Sequence, residues 1–226
     1  MKPFSIDHFL AKETFLEIID SPESMTYIGI FDKYNWLTGH ASQLTIPSQK
    51  QLDRDKAKAR KILETLRSYD DENLSDTQRA SKKIAIFDTE NKLLRLETFP
   101  FHNYVLNQIG GVHIDMVEFM TDTHPIRNLS EAEAYIDRVR LFENVFEGHL
   151  YELNGQQAID FYAPKFVYER VITQLDEFLN FSFEEHPIYT EFDRKIVDLG
   201  FSDEQKIQLR ENLKNQSDKA LIKHLG

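Results

Sequence analysis

Turn-forming residues are scarce in this sequence, and that scarcity limits the folds open to it. With 8 glycines and 7 prolines in 226 residues, the chain lacks the frequent tight turns that a β-sandwich or barrel needs. Long helices are the economical alternative. The hydrophobic fraction of 41%, with 17 Phe and 9 Tyr, suits a packed core. No internal repeat or low-complexity linker divides the chain, so the expectation is a single helical domain over residues 1–226.

Local patterns place the helices. Ser5 opens an amphipathic stretch through Ile6, Phe9, Leu10 and Leu16 that closes near Ser21-Pro22. Residues 23–46 read as irregular, with Gly29 and Gly39 as breaks. Ser48 with Gln51, and Ser75 with Gln78, resemble capping boxes. They open helices that run to about Tyr69 and toward Phe99, where Pro100 is a stop. Ser130 with Glu133 gives the clearest capping box, and Tyr135, Ile136, Val139, Phe142, Val145 and Phe146 then trace one helix face. Asn154-Gly155 reads as a turn. Pro164 suits the first turn of a helix whose stripe is Val167, Val171, Leu175, Phe178 and Leu179. His186-Pro187 breaks it, and Ser202 with Gln205 starts a last helix.

The formal net charge of −11 repels phosphate backbones and argues against nucleic-acid binding. The densest basic run, Arg54 to Arg67, also carries Asp55 and Glu64 and reads as a solvated helix face. With no cysteine, disulfides, Cys-ligated metals and thiol nucleophiles are excluded within this sequence. No stretch approaches the roughly 18 apolar residues of a membrane span. Asp7, Lys12 and Glu13 interrupt any signal-like core at the start. A cytoplasmic location is the default expectation, and export with the signal removed is the alternative.

The sequence contains no His-Glu-x-x-His element, no Gly-x-Ser-x-Gly elbow and no glycine-rich phosphate loop. His102, His113 and His124 recur every eleven residues, but Gly110-Gly111 and Pro125 forbid one helix that would align them. Structural histidines are therefore expected, and no metal ligands are assigned. Glu184-Glu185-His186 reads as a solvated, helix-terminating cluster. Phe99, Phe101, Tyr104 and Phe119 suit either a cleft or, more commonly, a core. No catalytic residue is assigned.

The segment Tyr104 to Arg127, YVLNQIGGVHIDMVEFMTDTHPIR, is the most heavily punctuated. Its glycine pair calls for unusual dihedrals or a close approach. Asn107 and Gln108 either hold an extended peptide or sugar, or satisfy backbone groups freed by the turn. Tyr104, Asn107, Gln108, Gly110 and Gly111 are thus the candidate substrate-binding residues.

These blocks carry a resemblance. Tyr104, Leu106, Asn107, Gln108, Gly111, His124-Pro125, Tyr135 and Arg138, with Pro164, Phe166, Val167 and Glu169, are similar to the amino-terminal half of the bacterial domain-of-unknown-function family 885. That family resembles helical, cleft-forming zinc peptidases. The resemblance implies an all-α, irregular multi-helix assembly forming one wall of such a cleft. It also implies that the zinc element lies in a carboxy-terminal half beyond this sequence, so no cofactor is expected here. The chain then reads as a non-catalytic portion of a peptidase-like protein that contributes to peptide binding. Its expected partners are a peptide, the carboxy-terminal half, or a second copy through an exposed apolar face. The alternative is a self-standing helical binding module.

Overall fold

A computed structural model describes residues 5–29, 31, 33 and 38–221. The described residues are all-α, as expected, and divide into two units, 1–20 with 47–103 and 21–46 with 104–226.

The first unit holds α1 (Ile6–Ile19), α3 (Gln49–Arg67) and α4 (Asp76–Thr98). Ser5 caps α1 by accepting from the His8 amide. Ser75 and Gln78 form the full capping box at α4, each side chain serving the other's backbone. At α3 only half of the box forms. Ser48 accepts from the Gln51 amide, but the Gln51 side chain turns to Asp55 at 3.1 Å. A small core of Ile6, Phe9, Leu66 and Tyr69 closes the three helices. The basic run lies on α3 and pairs outward, with Lys58 to Asp20 at 2.6 Å and Arg67 to Glu90 at 2.6 Å.

The second unit begins where an irregular stretch was expected. Ser21 and Pro22 instead open α2 (Pro22–Ile28), and Gly29 ends it at φ 63°. A Ser cap, Pro in the first turn and Gly just past the end form a complete helix signature within nine residues. A 3-10 turn follows at Thr38–Ser42. Residues 30, 32 and 34–37 of the stretch lie outside the described residues.

After α5 (Val112–Glu118) and one π-helical turn (Phe119–Thr123), α6 (Leu129–Arg140) runs through the centre of this unit. Its cap is Asn128, not Ser130: the Asn128 side chain accepts from the Glu131 amide at 3.0 Å. Asparagine is at least as good a cap as serine. Glu131 turns back to Arg127, which leaves Ser130 and Glu133 as ordinary helix residues. The apolar stripe from Tyr135 to Phe146 is cut at Leu141, whose amide closes on the Arg138 carbonyl three residues back. A new helix, α7 (Phe142–Ala158), starts there.

Asn154-Gly155 lies inside α7 rather than in a turn. The helix ends later, where the Gln156 carbonyl accepts from both Ile159 and Phe161, and Asp160 takes φ 54°. Pro164 caps α8 (Lys165–Leu179). His186-Pro187 starts a helix, α9 (Pro187–Val197), with His186 Nδ1 accepting from the Ile188 amide at 3.3 Å. Ser202 and Gln205 box the start of α10 (Asp203–Leu221).

The core of this unit joins Tyr135, Ile136 and Val139 of α6 to Ile188, Phe192 and Ile196 of α9 and to Leu209 and Leu213 of α10. Arg138 lies fully buried beside them. Its Nε donates to the Gln43 carbonyl at 3.0 Å, and Nη2 donates to Thr26 Oγ1 at 2.7 Å and the His40 carbonyl at 3.1 Å. Nη1 donates to His124 Nδ1 at 2.8 Å, and the guanidinium lies over the Phe119 ring at 4.8 Å. Arginine only donates, so His124 Nδ1 is the acceptor and Nε2 carries the proton, 3.2 Å from the Glu131 carbonyl. Lys195 closes the π-helical turn by donating to the carbonyls of Met120, Thr121 and His124 at 2.6–3.1 Å.

Burial and the Arg138 charge push His124 down to about 3, and burial pushes His186 down to about 4. Both lie below the ordinary histidine value near 6.5. Their contribution to stability is therefore complete above about pH 6.5 and is lost as pH falls toward those values. For His124 the loss is about 1.4 kcal/mol per pH unit. Urea unfolding between about pH 6.5 and about pH 5 should show the combined slope of the two histidines, and His124→Asn should remove the His124 share while leaving that of His186. Arg138→Met should cost about 3 kcal/mol, because it leaves buried carbonyls without donors. The same unfolding curves measure that loss, and an unchanged midpoint would contradict the buried network.

Candidate functional site

The segment that dominates the sequence folds as a loop feeding α5. Asn107 organises it. Its side-chain oxygen accepts from the Ile109 and Gly110 amides at 3.0 and 2.8 Å, and its amide nitrogen donates to the Gly110 carbonyl at 2.9 Å. The side chain thus satisfies the backbone of a tight turn. Gly111 is required by a close approach. A Cβ there would lie 2.8 and 2.9 Å from the Asn107 backbone and 3.0 Å from the His113 ring. Gly110 carries no such demand, since its nearest neighbour would be a carboxylate oxygen of Asp115 at 3.8 Å.

Gln108 is half-buried, and its carbonyl accepts from Gln174 Nε2 of α8 at 3.1 Å. That contact fixes the Gln174 amide orientation, so its oxygen faces His113 Nε2 at 3.1 Å. Gln174 therefore ties the loop and α5 to α8. His113 Nδ1 is buried without a hydrogen-bond partner. Tyr104 is half exposed and stacks on Phe161 at 5.1 Å. Ile109, at the loop tip, is 83% exposed.

Behind this loop, α5, α7 and α8 enclose a groove of about 340 Å³, within the range of ligand pockets. Leu106, Val112, His113 and Met116 form one wall, Phe146 and Leu150 of α7 a second, and Phe178 and Leu179 of α8 a third. Glu143, Glu147 and His149 are the polar residues on the α7 side, and His149 pairs with Glu152 at 2.7 Å. Leu150 and Leu179 stay partly exposed, so the groove opens to solvent along that lip.

Of the five candidate residues, none lines the groove itself, although Leu106 and Val112, which flank residues 107–111, do. Sequence reasoning missed Gln174 and the α7 wall. Their signal was present: Gln174 is a polar residue set into the stripe between Val171 and Phe178, and Leu150 and Leu153 continue the helical spacing from Phe146.

Among the described residues no three His, Asp or Glu side chains converge to hold a metal ion. His113 serves Gln174, His124 serves Arg138 and Glu131, and His186 caps α9. Phe119 belongs to the core of the second unit, whereas Phe99 is half exposed and meets His102 edge-on at 5.1 Å. No described helix is long and apolar enough to cross a membrane.

Residues 22–225 match the model of the family described as "Bacterial protein of unknown function (DUF885)". The chain is also similar to a solved structure, "The crystal structure of the putative lipoprotein from Colwellia psychrerythraea", at 18% identity and a TM-score of 0.74. That likeness covers 90% of this chain and 37% of the other, so the chain spans little more than a third of that protein. At this identity it establishes a shared fold. No curated protein matches the sequence.

Gly111→Ala should destabilise the second unit by about 1–3 kcal/mol, the usual cost of overpacking. Asn107→Ala should cost about 1–2 kcal/mol for its lost turn hydrogen bonds. Hydrogen exchange at residues 107–112 should accelerate in both variants and stay unchanged in Gly110→Ala. Equal exchange in all three would remove the distinction drawn between the two glycines.

Proposed function

The chain belongs to the bacterial family of unknown function DUF885, and from that premise we propose that it is a non-catalytic, peptide-holding portion of a larger, peptidase-like protein. The observation that carries the proposal is the apolar groove beside the Tyr104–Gly111 loop. It has the size and largely apolar lining of a site for apolar side chains, with His113 on the α5 wall and Glu143, Glu147 and His149 on the α7 side as its polar groups. The loop that forms its first wall is fixed by Asn107, Gly111 and Gln174, so an extended segment would meet a formed surface. Tyr104, Gln108 and exposed Ile109 belong to the same loop and would offer further contacts.

Two further facts support a role within a larger protein. The solved relative is nearly three times longer than the matched region. Large apolar side chains of the second unit, among them Tyr27, Ile109 and Ile172, are more than half exposed, and an apolar patch built from such residues would receive another part of a protein. The name of that relative also favours export over the cytoplasmic default.

Fluorescence anisotropy with labelled short apolar peptides tests the proposal. Saturable binding is expected, together with about tenfold weakening in Leu150→Asp, the loss of about 1.4 kcal/mol. Leu150 is 56% exposed, so this variant should keep its melting temperature. A quenched fluorescent peptide should not be cleaved, with or without added zinc. Binding by none of the peptides, or cleavage by the purified chain, would overturn the proposal.

A further inference from the structure

We infer that the outward face of α4 pairs with the same face of a second copy of this chain, parallel and in register, as a short coiled coil. The inference concerns the first unit and stands apart from the peptide-holding reading.

The sequence of α4 carries two stripes. One packs on α1 and α3, with buried Lys82 donating to the Tyr69 carbonyl at 2.6 Å and with Ala85 and Ile86 set against the core of Ile6, Phe9, Leu66 and Tyr69. The other is exposed. Ala80, Ile84, Phe87, Asn91, Leu94 and Thr98 follow one another alternately four and three residues apart along this second stripe. Ile84 is 62% exposed, Phe87 66% and Leu94 51%. That spacing is the heptad seam of a coiled coil, whose a and d positions meet a partner helix. Ile84, Asn91 and Thr98 take a, and Ala80, Phe87 and Leu94 take d. Single exposed apolar side chains need no partner. Three in one seam, on a helix anchored along its other face, form a surface shaped for another helix.

The charges beside the seam name the occupant. In a parallel pair each g residue faces the e residue of the next heptad on the other chain. Lys83 then faces Asp88 of the second copy, Glu90 faces Arg95 of the second copy, and two-fold symmetry makes each pair twice. All of these contacts join opposite charges. Lys83, Asp88 and Arg95 are exposed and make no ion pair among the described residues, and Lys83 acts on the Asp71 carboxylate only at longer range. Glu90 meets Arg67 of α3 through Oε1 at 2.6 Å, which leaves Oε2 for the incoming guanidinium. An antiparallel pair would bring Asp88 against Asp88 and Glu90 against Glu90, with Lys83 against Glu97 as its attractive contact. Asn91 favours the same orientation. A lone asparagine at an a position fixes register by bonding its counterpart. Its amide nitrogen donates to the Phe87 carbonyl at 2.8 Å, and its oxygen is left to accept across the seam. The antiparallel arrangement would press that amide against a Phe87 ring. A second copy in parallel register satisfies the charges and the asparagine at once.

The seam covers three heptads of a 23-residue helix, so the dimer is weak, in the micromolar range. Sedimentation velocity of the full chain from low to high micromolar concentration should show a monomer–dimer equilibrium. Ile84→Glu with Phe87→Glu should weaken it by about a hundredfold or more and leave the helical circular-dichroism signal unchanged. Asp88→Lys should weaken it by about tenfold, and adding Lys83→Glu to that variant should restore it, because the pairs are then opposite again. The sequence has no cysteine, so Leu94→Cys supplies a single thiol that should cross-link the parallel dimer on mild oxidation, whereas Lys92→Cys, off the seam, should not. A chain that stays monomeric throughout would overturn the inference and leave the seam to another part of a longer protein. A dimer that survives the two glutamates would place the contact on another face and equally overturn it. Failure of Lys83→Glu to rescue Asp88→Lys, or of Leu94→Cys to cross-link, would overturn the parallel register.

Discussion

Arg138 is a full positive charge at the centre of the second unit, and every hydrogen-bond acceptor described around it is neutral. A buried cation is tolerable only when its donors are satisfied. That requirement draws α2, the 3-10 turn after it and the end of the π-helical turn onto one side chain of α6. Burial eases the guanidinium down to about 10, still far above neutrality, and the Glu23 carboxylate acts against that fall. Glu23 in turn holds the chain end of this segment by accepting from the Thr45 amide and hydroxyl at 2.6 and 2.8 Å. The constraint continues one turn back along α6, where buried Tyr135 donates to the Ile188 carbonyl at 2.9 Å and so fastens α9. Lys195 of α9 returns to the π-helical turn, whose last residue leads to His124, and His124 closes the circuit on Arg138.

Legibility in the sequence followed the range of the interactions. Boxes made by neighbours, Ser75 with Gln78 and Ser202 with Gln205, could be read directly because both partners lie within one turn. The Ser130 reading failed because two candidate caps lay two residues apart and Glu131 had an outside partner in Arg127. Asn154-Gly155 looked like a turn because that pair tolerates left-handed backbone, yet the long α7 kept both residues helical. The break at Leu141 left no mark in the periodic stripe, since the stripe records burial and not the backbone closure that Arg138 makes. The groove was the least legible feature. Its walls come from three helices, and the residues that form it follow the same pattern as ordinary core.

Several of the residues that carry the family resemblance are architectural. Asn107 and Gly111 set the loop, and His124, Tyr135 and Arg138 form the buried circuit. A family recognised by such positions transmits a fold, and activity must be sought in what the fold presents. Here that is an apolar groove with an acidic edge, to which Leu106 contributes directly.

The glycine at position 111 has one more consequence. Its contact with the Asn107 backbone leaves no room for even one carbon atom, so the loop packs directly against the start of α5. A wall packed this closely is already formed before anything enters the groove. A ligand entering the groove would lose its own motion without also having to freeze the receptor, and the entropic penalty of recognition would fall mainly on one partner.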